Sequence, residues 1–371
     1  MSKTGQTIQL EVLTPVHIGM GRETDYLNGL DFTYQAGEYR VYNHEKILNG
    51  MAPRDLAAIS GFLADGNYRQ FGQYVNSRGL LNEQSLHYRF ESPFGNAESI
   101  KRTYQDALGN WLIPGSSLKG ALRSIILTRL FQLEGGQAGQ YLESALLGNI
   151  GNNLMRYFQV TDCPLDEEVI PGILPTKIFS ADENRGGKTG QWKHDRIGGH
   201  TERFDTRGFV SFYEMITGGT GGQFRITWGL DDFMLKKRAG DLPGPERLFT
   251  QEGPQWMLKA ARENMANYLE REKDFFQKYP NSVLEEFNFM DQMDWLINEN
   301  NKPGSFLLRL GANVGFHSIT GDWKFRNDHS QTGRDPRSQA IRYKTRKFVF
   351  WKDEEGWLFY LPGFVKLTLK S

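Results

Sequence analysis

The feature that most constrains this chain is a β-strand that runs directly into a helix. Residues 110–114, NWLIP, end at Pro114, and GSSLKGALRSIILTRLFQL follows with no linker. Ser116 or Ser117 can cap that helix, because a side-chain oxygen there accepts an otherwise unpaired backbone N–H. Leu118, Leu122, Ile125, Ile126 and Leu130 recur at helical spacing and form one apolar stripe. Lys119, Arg123 and Arg129 lie off it. Such a stripe has to be covered by another packed element.

The flanking segments supply strands. Residues 7–14, TIQLEVLT, alternate with Ile8, Leu10 and Val12 on one face. Residues 45–90 read as a helical insertion, broken by Gly61 and Gly66. A short helix is expected over 138–150 and strands over 156–162 and 174–180. Residues 181–205 are polar and glycine-rich, and read as a long exposed loop or hairpin arm. FVSFYEMI and GQFRITWGL flank GGTGG at 218–222 and predict a β-hairpin. Helices are expected over 254–278 and 282–299, then strands in FLLRLG, KFVFW, WLFYLP and FVKLTLK. This order predicts an α+β fold with an antiparallel sheet and helical insertions, compatible with ferredoxin-like units. With 371 residues, a division into 1–230 and 231–371 is expected.

Composition narrows the chemistry. Cys163 is the single cysteine, so an internal disulfide and a cysteine-based zinc site are excluded, and the chain suits a reducing cytoplasm. The opening residues lack the apolar stretch of a signal peptide, and no apolar run is long enough for a bilayer. The 44 basic and 44 acidic residues balance, which argues against a surface wholly coated by nucleic acid. They are unevenly placed, however. Residues 334–347 carry Arg334, Arg337, Arg342, Lys344, Arg346 and Lys347 against Asp335 alone, and 270–299 is acidic. That asymmetry predicts one basic and one acidic face, and therefore more than one partner.

Several motifs compete for the chemistry. In the 113–123 turn, Gly115 and Gly120 permit close backbone approach, and the helix start favours a phosphate beside Lys119 and Arg123. Ser116-x-x-Lys119 with Lys188-Thr189-Gly190 mimics serine β-lactamases, but the Ser/Tyr-x-Asn element between them is missing. DENRGGKT at 182–189 has an aspartate where a P-loop needs its first glycine, and reads as a basic loop. None of the seven histidines pairs at HExxH spacing, so neither a metal nor another cofactor is expected. Trp192-Lys193, Trp323 to Arg326 and Tyr343-Lys344 set aromatics beside cations, a pairing that suits single-stranded nucleic acid as well as a core.

TPVHIGMG at 14–21, IPGSSLKGALR at 113–123, LLRLGANVGF at 307–316 and the closing YKTRKFVF and LPGFVKL together resemble the RAMP proteins of type III CRISPR systems. The order across the chain is most similar to the fifth-subunit family of the type III-A Csm complex. The resemblance implies RRM-like (ferredoxin-like) units whose glycine-rich loops touch guide RNA. It implies a non-catalytic subunit that caps the crRNA 3′ end and supports crRNA maturation. Its implied partners are crRNA, target RNA, other Csm subunits (above all the RAMP backbone subunit) and host nucleases. By position it places His17, Gly19, Gly115, Ser116, Ser117, Lys119, Gly120, Arg123, Arg309, Arg342, Lys344, Arg346 and Lys347 at RNA. Gly311 and Gly315 match the later glycine segment, and 181–205 matches the arm that RAMP proteins insert into a guide–target duplex. The competing expectation is an endoribonuclease that processes precursor crRNA with His17 as general acid or base.

Overall fold

The computed structural model describes residues 4–370, except 96, 134–141, 167, 168, 170, 184–186, 196, 242–245, 251 and 319–342. Its first sheet has five strands in the order Ser305–Arg309, Phe364–Leu369, Thr4–Val12, Gly221–Trp228, Phe158–Val160, every neighbour antiparallel. The alternation in Thr4–Val12 decides how this sheet packs. Ile8, Leu10 and Val12 share a face with Phe224, Ile226, Val365 and Leu367. Helices Gly115–Leu133 and Gly253–Lys278 bury that face with Leu118, Leu122, Ile125, Met257 and Ala261. Each of the leucine, isoleucine and methionine side chains contributes roughly 1.5–3 kcal/mol by leaving water. The opposite face carries Thr7, Gln9, Glu11, Gln223 and Arg225. In chain order the elements run strand 4–12, helix, strand 158–160, strand 221–228, helix, strand 364–369. With the fourth strand beside the first and the third between first and second, this is a split βαβ arrangement, and Ser305–Arg309 extends its edge.

A second sheet is built around Gly172–Asp182, which is buried along nearly all its length. It pairs with Thr189–Lys193, Val210–Met215 and Thr345–Lys352, and Val210–Met215 continues to Ser99–Lys101 in parallel. Its core is aromatic. Phe179, Trp192, Phe276, Phe289, Phe348 and Phe359 pack edge to face or tilted, at centroid distances such as 5.2 Å for Phe179–Trp192. Trp192 is therefore core rather than a stacking surface, and the strand that holds it anchors the 181–205 segment in the sheet.

Two expectations are corrected. The segments either side of 218–222 do not form a hairpin: Gly221–Trp228 joins the first sheet and Val210–Met215 the second. Leu13 backbone oxygen lies 3.0 Å from where a Cβ on Gly218 would sit, so the connection passes tightly under the first strand's end as it changes sheet. The helical reading of 45–90 holds for His44–Asn49, Pro53–Ala64 and Tyr68–Ser77, but Leu86–Glu91 is a strand. It alternates as LHYRFE and pairs with Glu38–Tyr42 in a small three-stranded sheet.

Candidate nucleic-acid interface

Three of the glycine-bearing segments meet where the first sheet's strands end. The Leu13 and Thr14 amides donate to the Phe364 carbonyl at 2.9 and 3.1 Å, and the Phe364 amide donates to Thr14 Oγ1 at 3.0 Å. The Gly363 amide donates to Pro15 O at 2.9 Å, Leu310 to Gly363 O at 2.7 Å, and Ala312 to His17 O at 2.8 Å. Two glycines make this possible. A Cβ on Gly311 (φ +86°) would lie 2.2 Å from His17 O, and one on Gly363 (φ +96°) would lie 2.4 Å from Leu310 O.

His17 sits beneath this junction, 3% exposed. Its Nδ1 lies 2.9 Å from the Glu214 carbonyl oxygen, which can only accept, so Nδ1 carries the proton. Burial pushes the imidazole down to about 4, partly offset by that hydrogen bond. At neutral pH it is an uncharged, internally bonded ring against the edge of Tyr213, with centroids 4.9 Å apart. In this position it lies under Gly19, whose Cβ would lie 3.3 Å from Nε2.

Beside it lies a pair of lysines. Lys347 Nζ donates to Asn313 Oδ1 at 2.7 Å and reaches Tyr213 OH at 3.4 Å. Lys101 Nζ lies 3.1 Å from Asp25. Burial lowers the Lys347 pKa, and Lys101 lowers it further. Among the described residues no carboxylate forms an ion pair with Lys347. A partly desolvated ammonium with only neutral partners is stabilised by an incoming anion. Sequence reading found Lys347 in its basic run but missed Lys101 and Tyr213, which stand in no motif, and did not single out Asn313 within LLRLGANVGF; the fold alone gathers the three.

Beneath the pair, Glu214 is fully buried, accepting from Tyr88 OH at 2.7 Å and the Thr103 amide at 2.8 Å. Burial pushes its carboxyl up to about 7. It joins the small three-stranded sheet to the second sheet under the lysines.

The 113–123 turn is built differently from its expected form. Asp162, not Ser116 or Ser117, caps it: the Gly115 amide donates to Asp162 Oδ1 at 2.7 Å. A carboxylate thus already occupies an amide at the helix start. Gly115 is buried, and its Cβ would lie 2.5 Å from Val160 O, so packing demands glycine there. Arg123 is engaged by Glu143. Ser116 is exposed, while Ser117 and Lys119 are half-buried. Nothing lies within 4 Å of a Cβ on Gly120.

Of the closing basic residues, Lys344 is exposed and Arg342 lies outside the described residues, as do Trp323 to Arg326. Two arginines expected at RNA are internal. Arg346 makes a two-pronged ion pair with Glu272, Nε to Oε2 at 2.5 Å and Nη2 to Oε1 at 2.9 Å, over the Phe275 ring. Arg309 donates to Pro362 O at 2.8 Å and to Tyr268 OH. Among the described residues no helix is long and apolar enough to cross a membrane.

The fold and these junctions define a class. The RAMP superfamily profile matches residues 9–278, and the chain belongs to that superfamily. Within it, the chain is similar to the CRISPR system Cms protein Csm5 of Streptococcus thermophilus, 28% identical over 149 residues, which cover 34% of this chain and 40% of that protein. The match thus spans less than half the length of that relative. A chain of the Csm–crRNA–target RNA ternary complex of a type III-A CRISPR-Cas system shares the fold, with TM-score 0.64 and 16% identity over 99% of this chain and 100% of that one. So does Csm5 of T. onnurineus, with TM-score 0.52 and 17% identity over 82% of this chain and 89% of that one.

Proposed function

We infer that the chain is an RNA-binding structural subunit of a type III-A CRISPR effector complex, placed in the cytoplasm and capping the crRNA 3′ end. The observation that carries this reading is the junction of 14–19, 309–315 and 361–364 beside Lys101 and Lys347, where backbone turns and two cations converge. Support also comes from the relatives: one is named Csm5, and the chain of matching fold belongs to a complex with crRNA and target RNA. The partners in this reading are crRNA, target RNA, the RAMP backbone subunit and other Csm subunits, with host nucleases recruited for crRNA maturation. The chain divides by order into 1–230 and 231–371, with the second part completing both large sheets of the first. The first sheet is RRM-like in topology but not in its manner of binding. Its polar face offers Thr7, Gln9, Glu11, Gln223 and Arg225 and, among the described residues, no exposed aromatic, so in this reading loops and lysines hold the RNA.

The test is a salt titration of single-stranded RNA binding to the full chain and to Lys101→Ala/Lys347→Ala. Each phosphate contact contributes about −0.7 to the slope of log affinity against log salt on a single strand. The double variant should keep its melting temperature and lose about 1 to 1.5 from the slope magnitude. Unchanged affinity and slope would remove the lysine pair from the interface. Lys119→Ala should weaken binding more than Arg123→Ala, because Glu143 already holds Arg123.

A further inference from the structure

The small three-stranded sheet and its helices have no direct contact role in the reading above, yet they carry a built cleft. It lies between strand Phe32–Gln35 and helix Tyr68–Ser77, with a volume near 880 Å³. Its floor is made where helix and loop meet backbone to backbone. A Cβ on Gly72 would lie 2.4 Å from Gly29 O, and one on Gly95 would lie 1.9 Å from the Tyr34 ring. The lining is polar: Gln35, Gln73 and Asn76 bring side-chain amides, Arg69 a guanidinium, Glu98 a carboxylate and Tyr34 a half-buried ring. Tyr34 is fixed, because its hydroxyl donates to Ser92 O at 2.7 Å and its ring packs on Tyr39 at 4.9 Å.

This set of groups selects a ligand class. Amide side chains match the donor–acceptor edges of bases, above all adenine. A held aromatic ring stacks on a base. A guanidinium takes phosphate, and a carboxylate accepts from a ribose hydroxyl or a base amino group. The polar lining suits a nucleotide better than an apolar metabolite. Position adds a second argument. An adjoining cleft of about 460 Å³ shares Glu98 with this one and Lys101 with the lysine pair. Glu98 and Lys101 stand about 10 Å apart by the rise of an extended strand. A single strand crossing the lysines therefore reaches the amide cleft along one continuous surface.

We propose that this cleft holds an unpaired nucleotide of single-stranded RNA, its base against Tyr34 and the amides and its phosphate at Arg69. The inference rests on the RNA-binding reading and extends it to a site that reads the base. The experiment measures binding of ten-nucleotide oligo(A), oligo(U) and oligo(dA) to the full chain, to Arg69→Ala/Gln73→Ala, and to Asn76→Trp, which fills the cleft from an exposed position. Crosslinked peptides from 4-thiouridine RNA are mapped in parallel. The expected result is an affinity for oligo(A) about tenfold lower in both variants, the scale of one stacked or doubly hydrogen-bonded base. Melting temperatures should hold, oligo(dA) should bind less well than oligo(A), and crosslinks should fall within 28–98. Variants that bind oligo(A) like the unaltered chain, with crosslinks confined to 17–21, 101 and 311–347, overturn the cleft and leave the lysine interface standing. Absence of binding by the unaltered chain at low salt overturns both.

Discussion

Arg346 shows how far a residue's role can lie from its local sequence. In RYKTRK it reads as one of a row of phosphate contacts, yet its side chain is 8% exposed and its partner Glu272 is 1% exposed. Burial opposes ionisation of Glu272, and the guanidinium beside it more than offsets this, holding the carboxyl below its ordinary range. The partner lies 74 residues away on helix Gly253–Lys278, so no local pattern could announce it. Lys347, one position on, points to the other face of its strand, where Asn313 and Tyr213 hold it beside Lys101. The two neighbours should therefore respond differently. Arg346→Ala leaves Glu272 charged in the core and should cost about 3–5 kcal/mol in urea unfolding, while Arg346→Ala/Glu272→Gln should recover part of that. An Arg346→Ala protein of undiminished stability but weakened RNA binding would put Arg346 back at the interface.

At the scale of elements, periodicity was sound wherever the partner was near. The stripe of Leu118, Leu122, Ile125, Ile126 and Leu130 is buried as its spacing requires, and the long helix and the closing strands stand close to their expected bounds. Pairing was not legible. Val210–Met215 and Gly221–Trp228 satisfy every local rule for a hairpin, but their buried faces complete two different sheets. The helix turn divides in the same way. Its glycines look equivalent in sequence and are opposites in space. Gly115→Ala drives a Cβ into Val160 O and should cost about 1–3 kcal/mol through overpacking. Gly120→Ala enters open space within a helix and should stabilise by up to about 1 kcal/mol. If Gly120 is kept for RNA approach, that more stable variant should also bind RNA more weakly. Equal RNA affinity would mean that RNA approach does not require glycine at position 120.

For the whole molecule, the decisive feature is that three sheets are tied together under one patch. Tyr88 from the small sheet, Thr103 from the connecting loop and Val210–Met215 of the second sheet meet at Glu214, and His17 of the first sheet's outgoing loop hydrogen-bonds the same residue's carbonyl. This assembly gives folding a pH dependence with two opposed parts. Burial raises Glu214 from 4.5 to about 7, so the stability it contributes is complete below about pH 4.5 and is lost as pH rises through 7. Burial lowers His17 from 6.5 to about 4, so its contribution is complete above about pH 6.5 and is lost as pH falls through 4. Between these limits the two slopes largely cancel. Most of Glu214's roughly 3 kcal/mol is lost between pH 4.5 and 7, offset there by His17. Above pH 6.5 the remaining Glu214 loss, about 1 kcal/mol or less, outweighs the remaining His17 gain. Glu214→Gln keeps an oxygen for the Thr103 amide and removes the charge. Urea midpoints measured from pH 5 to 8.5 should decline above pH 6.5 in the unaltered chain and stay flatter in Glu214→Gln, the two curves parting as the carboxylate forms. Parallel curves over that range would show that Glu214 does not titrate there, and that the link between the sheets holds no proton at neutral pH.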